Sequence, residues 1–231
     1  MTKKQPGKLR LGILGGTFDP IHNGHLRAAV EILEEFSLDR MNLIPTFNSP
    51  HKNPDSISPF IHRFTMARLA TQNMPELDVL DIEGVRGGNS YTIDTVMELK
   101  KRPDCGEIFL VTGMDAFLDI RQWRDYNKLF ELINFIVVRR LGSESSIPCG
   151  LLENIGASGP AAFKSFYEDH SIVKHKILSS GKDLFVMSMP QLEISGTVIR
   201  KKLEQGQSIR YLLPDQVLSY IKKEGLYAGL A

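Results

Sequence analysis

The feature that most limits what this chain can fold into is an alternation. Short runs of branched apolar residues are followed, again and again, by segments with the spacing of an amphipathic helix. Residues 9–14 read as a strand and 24–36 as a helix, with Leu26, Val30 and Leu33 on one face. A second strand over 41–44 is stopped by Pro45, and a helix over 60–71 precedes a strand over 77–82. The rhythm continues with a helix over 90–101, a strand over 107–112, a helix over 126–132 and a strand over 135–138. A last strand, 184–187, leads toward a terminal helix over 214–223. Parallel strands need a crossover between them, and a helix supplies it. The pattern therefore predicts an α/β chain with a doubly wound, mostly parallel sheet and helices on both faces, in a single domain spanning 1–231. Between 141 and about 181, Gly, Ser and Pro interrupt the rhythm around a helical stretch predicted near 161–178. Residues 141–178 are expected to be an insertion or lid-like segment, and 195–231 a C-terminal helical part.

Composition narrows the partners. A chain of 231 residues with 42% hydrophobic and 24% charged residues can bury a core of its own. A net charge of +1 argues against a nucleic-acid coat or a polybasic membrane binder, so any anion site must be local. The two cysteines, Cys105 and Cys149, form no CxxC pair, which fits a reducing compartment and gives no disulfide framework or cysteine zinc site. The basic start MTKKQPGK has no apolar signal core behind it, and no run of 18 apolar residues occurs. A cytoplasmic protein with neither a membrane nor a nucleic-acid polymer as partner is expected.

The segment GGTFDPIHNGH, from Gly15 to His25, stands at the carboxyl end of the first strand, where open α/β sheets bind ligands. Gly15 and Gly16 are expected to form a turn with positive φ that lets a ligand approach the backbone. A helix then begins near Asn23, and its free N–H groups and dipole favour an anion. His22 and His25, three apart, can face the same side. A metal pair, a base and a phosphate cradle are all conceivable for such residues. A zinc pair lacks a third ligand, the G-x-G-x-x-G fingerprint fails at Thr17, and no Walker A loop occurs. A purely capping role for the histidines is the bland reading.

The segment GTFDPIHNGH resembles the (T/H)xGH signature of the nucleotidyltransferase superfamily, and ISGTVIR at 194–200 resembles its second signature, ISxTxIR. The two stand about 170 residues apart and in the family order. The resemblance implies a Rossmann-like fold in which both signatures meet at a nucleotide triphosphate. Physically, Ser195 and Thr197 can cap a helix and offer hydroxyl and N–H groups to phosphate, and Arg200 adds a forked cation. Gly196 stands where relatives often carry Ser or Ala, which is expected to loosen the helix start. Four further segments, IPTFNSPHK, NSYTIDTVMEL, TGMDAFLDIRQW and LLPDQVLSYIKKEGLY, are similar to the bacterial nicotinate-mononucleotide adenylyltransferase family.

Carried onto this sequence, the resemblance implies that Gly15, Gly16, Thr17, Gly113, Ser195 and Thr197 bind ATP together with His22, His25 and Arg200, which also carry the catalysis. Phe18, Asn48, His51, Lys52, Tyr91, Thr92, Asp115 and Trp123 would bind nicotinate mononucleotide. Tyr91 and Thr92 would lie against the nicotinate carboxylate through helix-start N–H groups, reading an acid without a dedicated cation. Trp123 would stack on the pyridine ring. His51 and Lys52 would reach phosphates from a loop. Each has a plainer reading: Trp123 as core, Lys52 as a solvated loop charge. Glu34 and Glu35, at the end of the first helix, read as a solvated face. The S-x-x-K match at Ser49–Lys52 lacks its companion motifs and reads poorly as an acylation site. The implied reaction joins ATP and nicotinate mononucleotide to give nicotinate adenine dinucleotide and pyrophosphate. Mg²⁺ would be carried by ATP and no metal held by protein side chains. The alternatives are a preference for nicotinamide mononucleotide or another phosphorylated acceptor, and a non-catalytic nucleotide-binding module. A homo-oligomer stays open.

Overall fold

The computed structural model describes residues 7–49, 56–140, 147–163, 170–190 and 192–227. In chain order the elements are β1 (Leu9–Gly16), α1 (Asn23–Glu35), β2 (Arg40–Pro45), α2 (Phe60–Thr71), β3 (Leu77–Val79), α3 (Ile82–Arg86) and α4 (Thr92–Lys100). There follow β4 (Cys105–Gly113), α5 (Met114–Leu118), a 3-10 turn (Ile120–Gln122), α6 (Tyr126–Leu132) and β5 (Asn134–Arg140). The last are α7 (Cys149–Asn154), β6 (Ala161–Phe163), β7 (Ser171–Lys176), β8 (Asp183–Met189), α8 (Gly196–Glu204) and α9 (Asp215–Lys223). They divide into two compact units, each built from three stretches of chain. One comprises Met1–Leu14, Leu33–Arg40 and Tyr91–Gln191, the other Gly15–Ile32, Met41–Ser90 and Leu192–Ala231.

In the first unit β4 lies between β1 and β5, all parallel, and β8 joins β5 in parallel. The register sets Ile13 against Leu110, Val111 against Ile136 and Val138 against Met187, so apolar residues meet apolar residues along the sheet. These central strands are near-continuous apolar runs because helices cover them, as parallel sheets require. Phe117, Phe130 and Phe135 form one aromatic cluster, with the Phe130 and Phe135 rings stacked at 4.5 Å. Phe36 meets the Phe185 ring edge-on at 5.0 Å. Each such ring, buried almost completely, contributes on the order of 3 kcal/mol.

In the second unit β2 and β3 pair in parallel, from Met41 opposite Leu77 to Leu43 opposite Val79. Helix α2 packs on β3 and on α9, where His62 Nδ1 and the Tyr220 hydroxyl share a hydrogen bond of 2.9 Å. The amphipathic stripe of α9 buries Val217, Leu218 and Ile221. Ile21, Ile32, Met41, Leu43 and Met66 complete this core.

The mostly parallel sheet with helices expected from the sequence is present, and the interrupted region departs from expectation. Instead of a helix over 161–178, β7 pairs antiparallel with β8 and β6 with β7. In the segment SIVKHK the branched Ile172–Val173 pair finds a ready partner in β8. Within the predicted strand 77–82, pairing stops at Val79 and Ile82 opens α3. Glu35 is no part of a solvated face: it is buried, with its carboxylate 3.4 Å from the His170 imidazole. It follows Glu31 and Ile32 by one helical turn and so shares their buried side of α1, while Glu34 is exposed. Among the described residues no helix is long and apolar enough to cross a membrane.

Candidate active site

The loop after β1 is bent by a residue other than those expected. Neither Gly15 nor Gly16 has a positive φ; Phe18 does, at 49°. The use of Gly16 is steric: a Cβ there would stand 2.9 Å from the buried Phe18 ring. That ring turns inward because the loop holds Phe18 left-handed, a conformation an L residue adopts only under external constraint. At Gly15 the space a side chain would fill is open.

His22 and His25 do come together, as the spacing predicted. Their rings stack at 3.6 Å with 22° between planes, and Phe18 meets the His25 ring edge-on at 5.0 Å. The His22 backbone N–H donates to His25 Nδ1 at 3.3 Å. An acceptor at Nδ1 puts the His25 proton on Nε2, so this imidazole is a donor through Nε2. His22 Nδ1 is buried without a partner. A Cβ on Gly24 would lie 3.1 Å from that atom, so the glycine between the histidines makes room for the His22 ring. Burial pushes the His22 pKa down to about 4. Burial, with the neighbouring His22 adding to it, takes His25 to about 3. Both are neutral at pH 7. In the first turn of α1 the Asn23 N–H is taken by the Leu212 carbonyl and the His25 N–H by that of His22, leaving the Gly24 N–H open.

The second signature builds α8. Ser195 is the N-cap, its Oγ accepting from the Val198 N–H at 3.2 Å, while the Ile199 N–H bonds the Ser195 carbonyl. Among the described residues the N–H groups of Gly196 and Thr197 are open donors of this helix. Thr197 does not cap; it stands in the first turn, where its Oγ1 accepts from Arg200 Nη2 at 3.4 Å. Arg200 Nη1 donates to the Asp19 carbonyl. Gly196 proves to be a point of close approach: a Cβ on it would stand 2.7 Å from the Asp19 carbonyl oxygen. The residue expected to loosen the helix lets the two signatures approach this closely here.

Three residues that sequence reasoning missed hold this arrangement. Asp19, 6% exposed, accepts from the Tyr227 hydroxyl at 2.6 Å on Oδ1 and from the Ser58 N–H at 3.2 Å on Oδ2. Arg63 on α2, 2% exposed, donates to the carbonyls of Ser58, Thr17, Thr46 and Phe47 at 2.8, 2.8, 2.7 and 3.2 Å. Burial lowers the Arg63 pKa, and the nearby Asp19 charge opposes the shift. Neither Arg63 nor Tyr227 lies in a motif that names its role. Four of their partners are backbone carbonyls, which a sequence does not advertise.

Of the expected mononucleotide residues, Asn48 lies in the same unit, its side-chain amide donating to Asn89 Oδ1 at 3.0 Å. The N–H groups of Phe47 and Asn48 both reach Ser90 Oγ, at 3.1 and 3.4 Å. His51 and Lys52 fall outside the described residues. Phe18 also lies in this unit, and Tyr91, Thr92, Asp115 and Trp123 belong to the first. Tyr91 is the N-cap of α4 and Thr92 its first residue, as the helix-start reading requires. Trp123 ends the 3-10 turn, and the next residue, Arg124, places its guanidinium 5.0 Å over the Tyr91 ring and 3.4 Å from Asp94. Arg124 thus stands beside this helix start with its charge shared by Asp94 and Asp125. Gly113 and Asp115 open α5, both exposed. Among the described residues no group of three or more His, Cys, Asp or Glu is placed to hold a metal ion. The two imidazoles lie face to face with nearly parallel planes.

Known proteins share this plan. The profile of the cytidylyltransferase-like family matches residues 13–202. A protein of Citrifermentans bemidjiense named "Probable nicotinate-nucleotide adenylyltransferase" is 42% identical over 219 residues, covering 95% of this chain and 98% of that one. One of Geobacter sulfurreducens with the same name is 39% identical over 220 residues, covering 95% and 99%. Among solved structures, Plasmodium falciparum nicotinic acid mononucleotide adenylyltransferase complexed with NaAD has the same fold. Its TM-score is 0.67 at 20% identity, over 95% of this chain and 97% of that one. With relatives of this closeness along nearly its whole length, the chain belongs to the nicotinate-nucleotide adenylyltransferase family of cytidylyltransferase-like proteins.

Proposed function

We propose that this chain is an adenylyltransferase that joins ATP to nicotinate mononucleotide, releasing pyrophosphate and nicotinate adenine dinucleotide in NAD biosynthesis. The observation that carries the reading is the convergence, within one unit, of two helix starts with open N–H groups, two neutral imidazoles and Arg200. Such a set suits a triphosphate: it offers donors to many oxygens.

The acceptor's 5′-phosphate oxygen attacks the ATP α-phosphorus, and the bond to the pyrophosphate breaks with its electron pair leaving on oxygen. The phosphate is already an anion at neutral pH, so no base is needed. The protein's task is to align two polyanions and to stabilise charge that builds on the α-phosphate and the leaving group. His22 and His25 donate through neutral N–H bonds, with the His25 donor fixed at Nε2 by the His22 backbone. The open N–H groups of Gly24, Gly196 and Thr197 supply fixed dipoles, and Arg200 the full positive charge. Mg²⁺ enters as part of the substrate, on the phosphates. On this reading Tyr91, Thr92 and Trp123 receive the nicotinate ring and its carboxylate, and the reaction is cytoplasmic.

The test is pyrophosphate release from MgATP with nicotinate mononucleotide, nicotinamide mononucleotide and phosphopantetheine as parallel acceptors. The acid mononucleotide is expected to give the highest kcat/KM. A higher value with either of the others, or ATP binding without turnover on any acceptor, overturns the reading.

A further inference from the structure

Arg200 is the only full charge assigned to the phosphates by residues of α8, yet in this structure it is bonded to protein. Its Nη1 donates to the Asp19 carbonyl, and the same nitrogen lies 3.8 Å from Asp19 Oδ2. That longer separation matters. A guanidinium in direct contact with a carboxylate has its charge largely answered and has little left for a phosphate. One bonded to a carbonyl, with the carboxylate at ion-pair range but not hydrogen-bonded to it, is oriented and has its charge only partly answered. What keeps the Asp19 carboxylate from closing the remaining gap is its own bonding: the Tyr227 hydroxyl on Oδ1 and the Ser58 N–H on Oδ2.

The chain invests in this arrangement. Tyr227 is buried and held left-handed at φ 63°, and Phe18, next to Asp19, is held at φ 49°. Strained backbone of this kind persists only where surrounding contacts over-determine it. Arg63 supplies such contacts, bonding the carbonyls of Thr17 and Ser58, one on each side of the Asp19 contacts.

We infer that Asp19 and Tyr227 are positioning residues: Tyr227 restrains the Asp19 carboxylate so that Arg200 is aimed by the Asp19 carbonyl but not hydrogen-bonded by its side chain. The inference rests on the reading of Arg200 as a phosphate-binding cation. Without the Tyr227 hydroxyl, the carboxylate is free to pair directly with Arg200 and withdraw it from the transferring phosphate. The loss is specific to the step in which charge builds, so it falls on kcat more than on the KM for ATP.

A double-mutant cycle tests this. Tyr227→Phe keeps the buried ring and is expected to lower kcat about 10-fold, with the KM for ATP changed less than about 3-fold. Asp19→Asn keeps the aiming carbonyl and leaves no carboxylate to pair with Arg200, so in that background Tyr227→Phe is expected to change kcat by less than about 2-fold. In an Arg200→Ala background the effect of Tyr227→Phe should likewise shrink to less than about 2-fold, because the residue it acts through is gone. A purely structural role predicts that this loss multiplies with that of Arg200→Ala, and this result overturns the inference, as does an unchanged kcat in Tyr227→Phe. If Arg200→Ala itself keeps near-normal turnover, it is the assignment of Arg200 that fails.

Discussion

At the scale of single residues, the two histidines show how burial chooses a chemical role. An imidazole with its usual pKa is a proton shuttle; one held near 4 or 3 is a neutral donor over the whole physiological range. Loss of one such donor in the transition state costs a factor of ~10²–10³. His25→Ala should therefore lower kcat by that amount with the fold intact by circular dichroism, and near-normal turnover would remove His25 from the cradle. The same burial has a consequence for stability. Both folded-state values lie below the unfolded value of 6.5, so below that pH the unfolded chain binds more protons than the folded one. The neutral-histidine contribution is complete above pH 6.5 and is lost as pH falls toward 4 and then 3. Each histidine adds a slope approaching about 1.4 kcal/mol per pH unit in that window and none above it. Melting temperatures measured from pH 8 to 4.5 should be flat above 6.5 in this respect and fall below it. His25→Gln should make the fall shallower, and an unaltered slope would show that His25 is not buried neutral.

At the scale of elements, what could be read in advance was what local chemistry decides. Helices α2 and α6 begin and end where their patterns predicted, because a proline before one and a clear apolar stripe in the other define them. Ser195 caps α8 because a serine before a helix does so in any context. The β6–β7 ladder could not be read, since SIVKHK becomes a strand only when β8 lies beside it. Arg63 was equally hidden: in sequence it is one charge in the helical stretch FIHRFTMARLA, and only the folded loops bring four carbonyls to it. Its place on α2 makes the helix an anchor for the loops that follow β1 and β2. Arg63→Met keeps the length of the side chain and removes every donor. Each buried carbonyl left without one costs roughly 1–3 kcal/mol. The variant should unfold at a markedly lower urea concentration, by about 3 kcal/mol or more, with the m-value unchanged. A midpoint within error of the parent would mean that water or a rearranged side chain satisfies those carbonyls.

At the scale of the whole molecule, the question is whether the two compact units behave as one domain. Their connectivity argues that they do. Each unit is assembled from three separated stretches, and the boundaries at 14–15 and 32–33 fall inside β1 and α1. Melting either unit alone would have to break a strand or a helix partway along its length, where hydrogen-bonded elements are most cooperative. The family profile, too, runs from 13 to 202 without respecting any of these boundaries. We therefore expect calorimetry to record a single transition whose van't Hoff and calorimetric enthalpies agree. ATP offers a sharper form of the same test, because its proposed donors at Gly24, His25 and Arg200 all belong to one unit. Ligand at ~100 times its Kd adds about 2.7 kcal/mol to the state that binds it, which for a chain of this length is a rise of roughly 5–10 °C. If folding is one event, the whole transition moves by that amount, and His25→Ala, which loses a phosphate donor, moves less at the same ATP concentration. If the transition splits instead, with one half shifted by ATP and the other left in place, the units unfold independently and the single-domain reading fails.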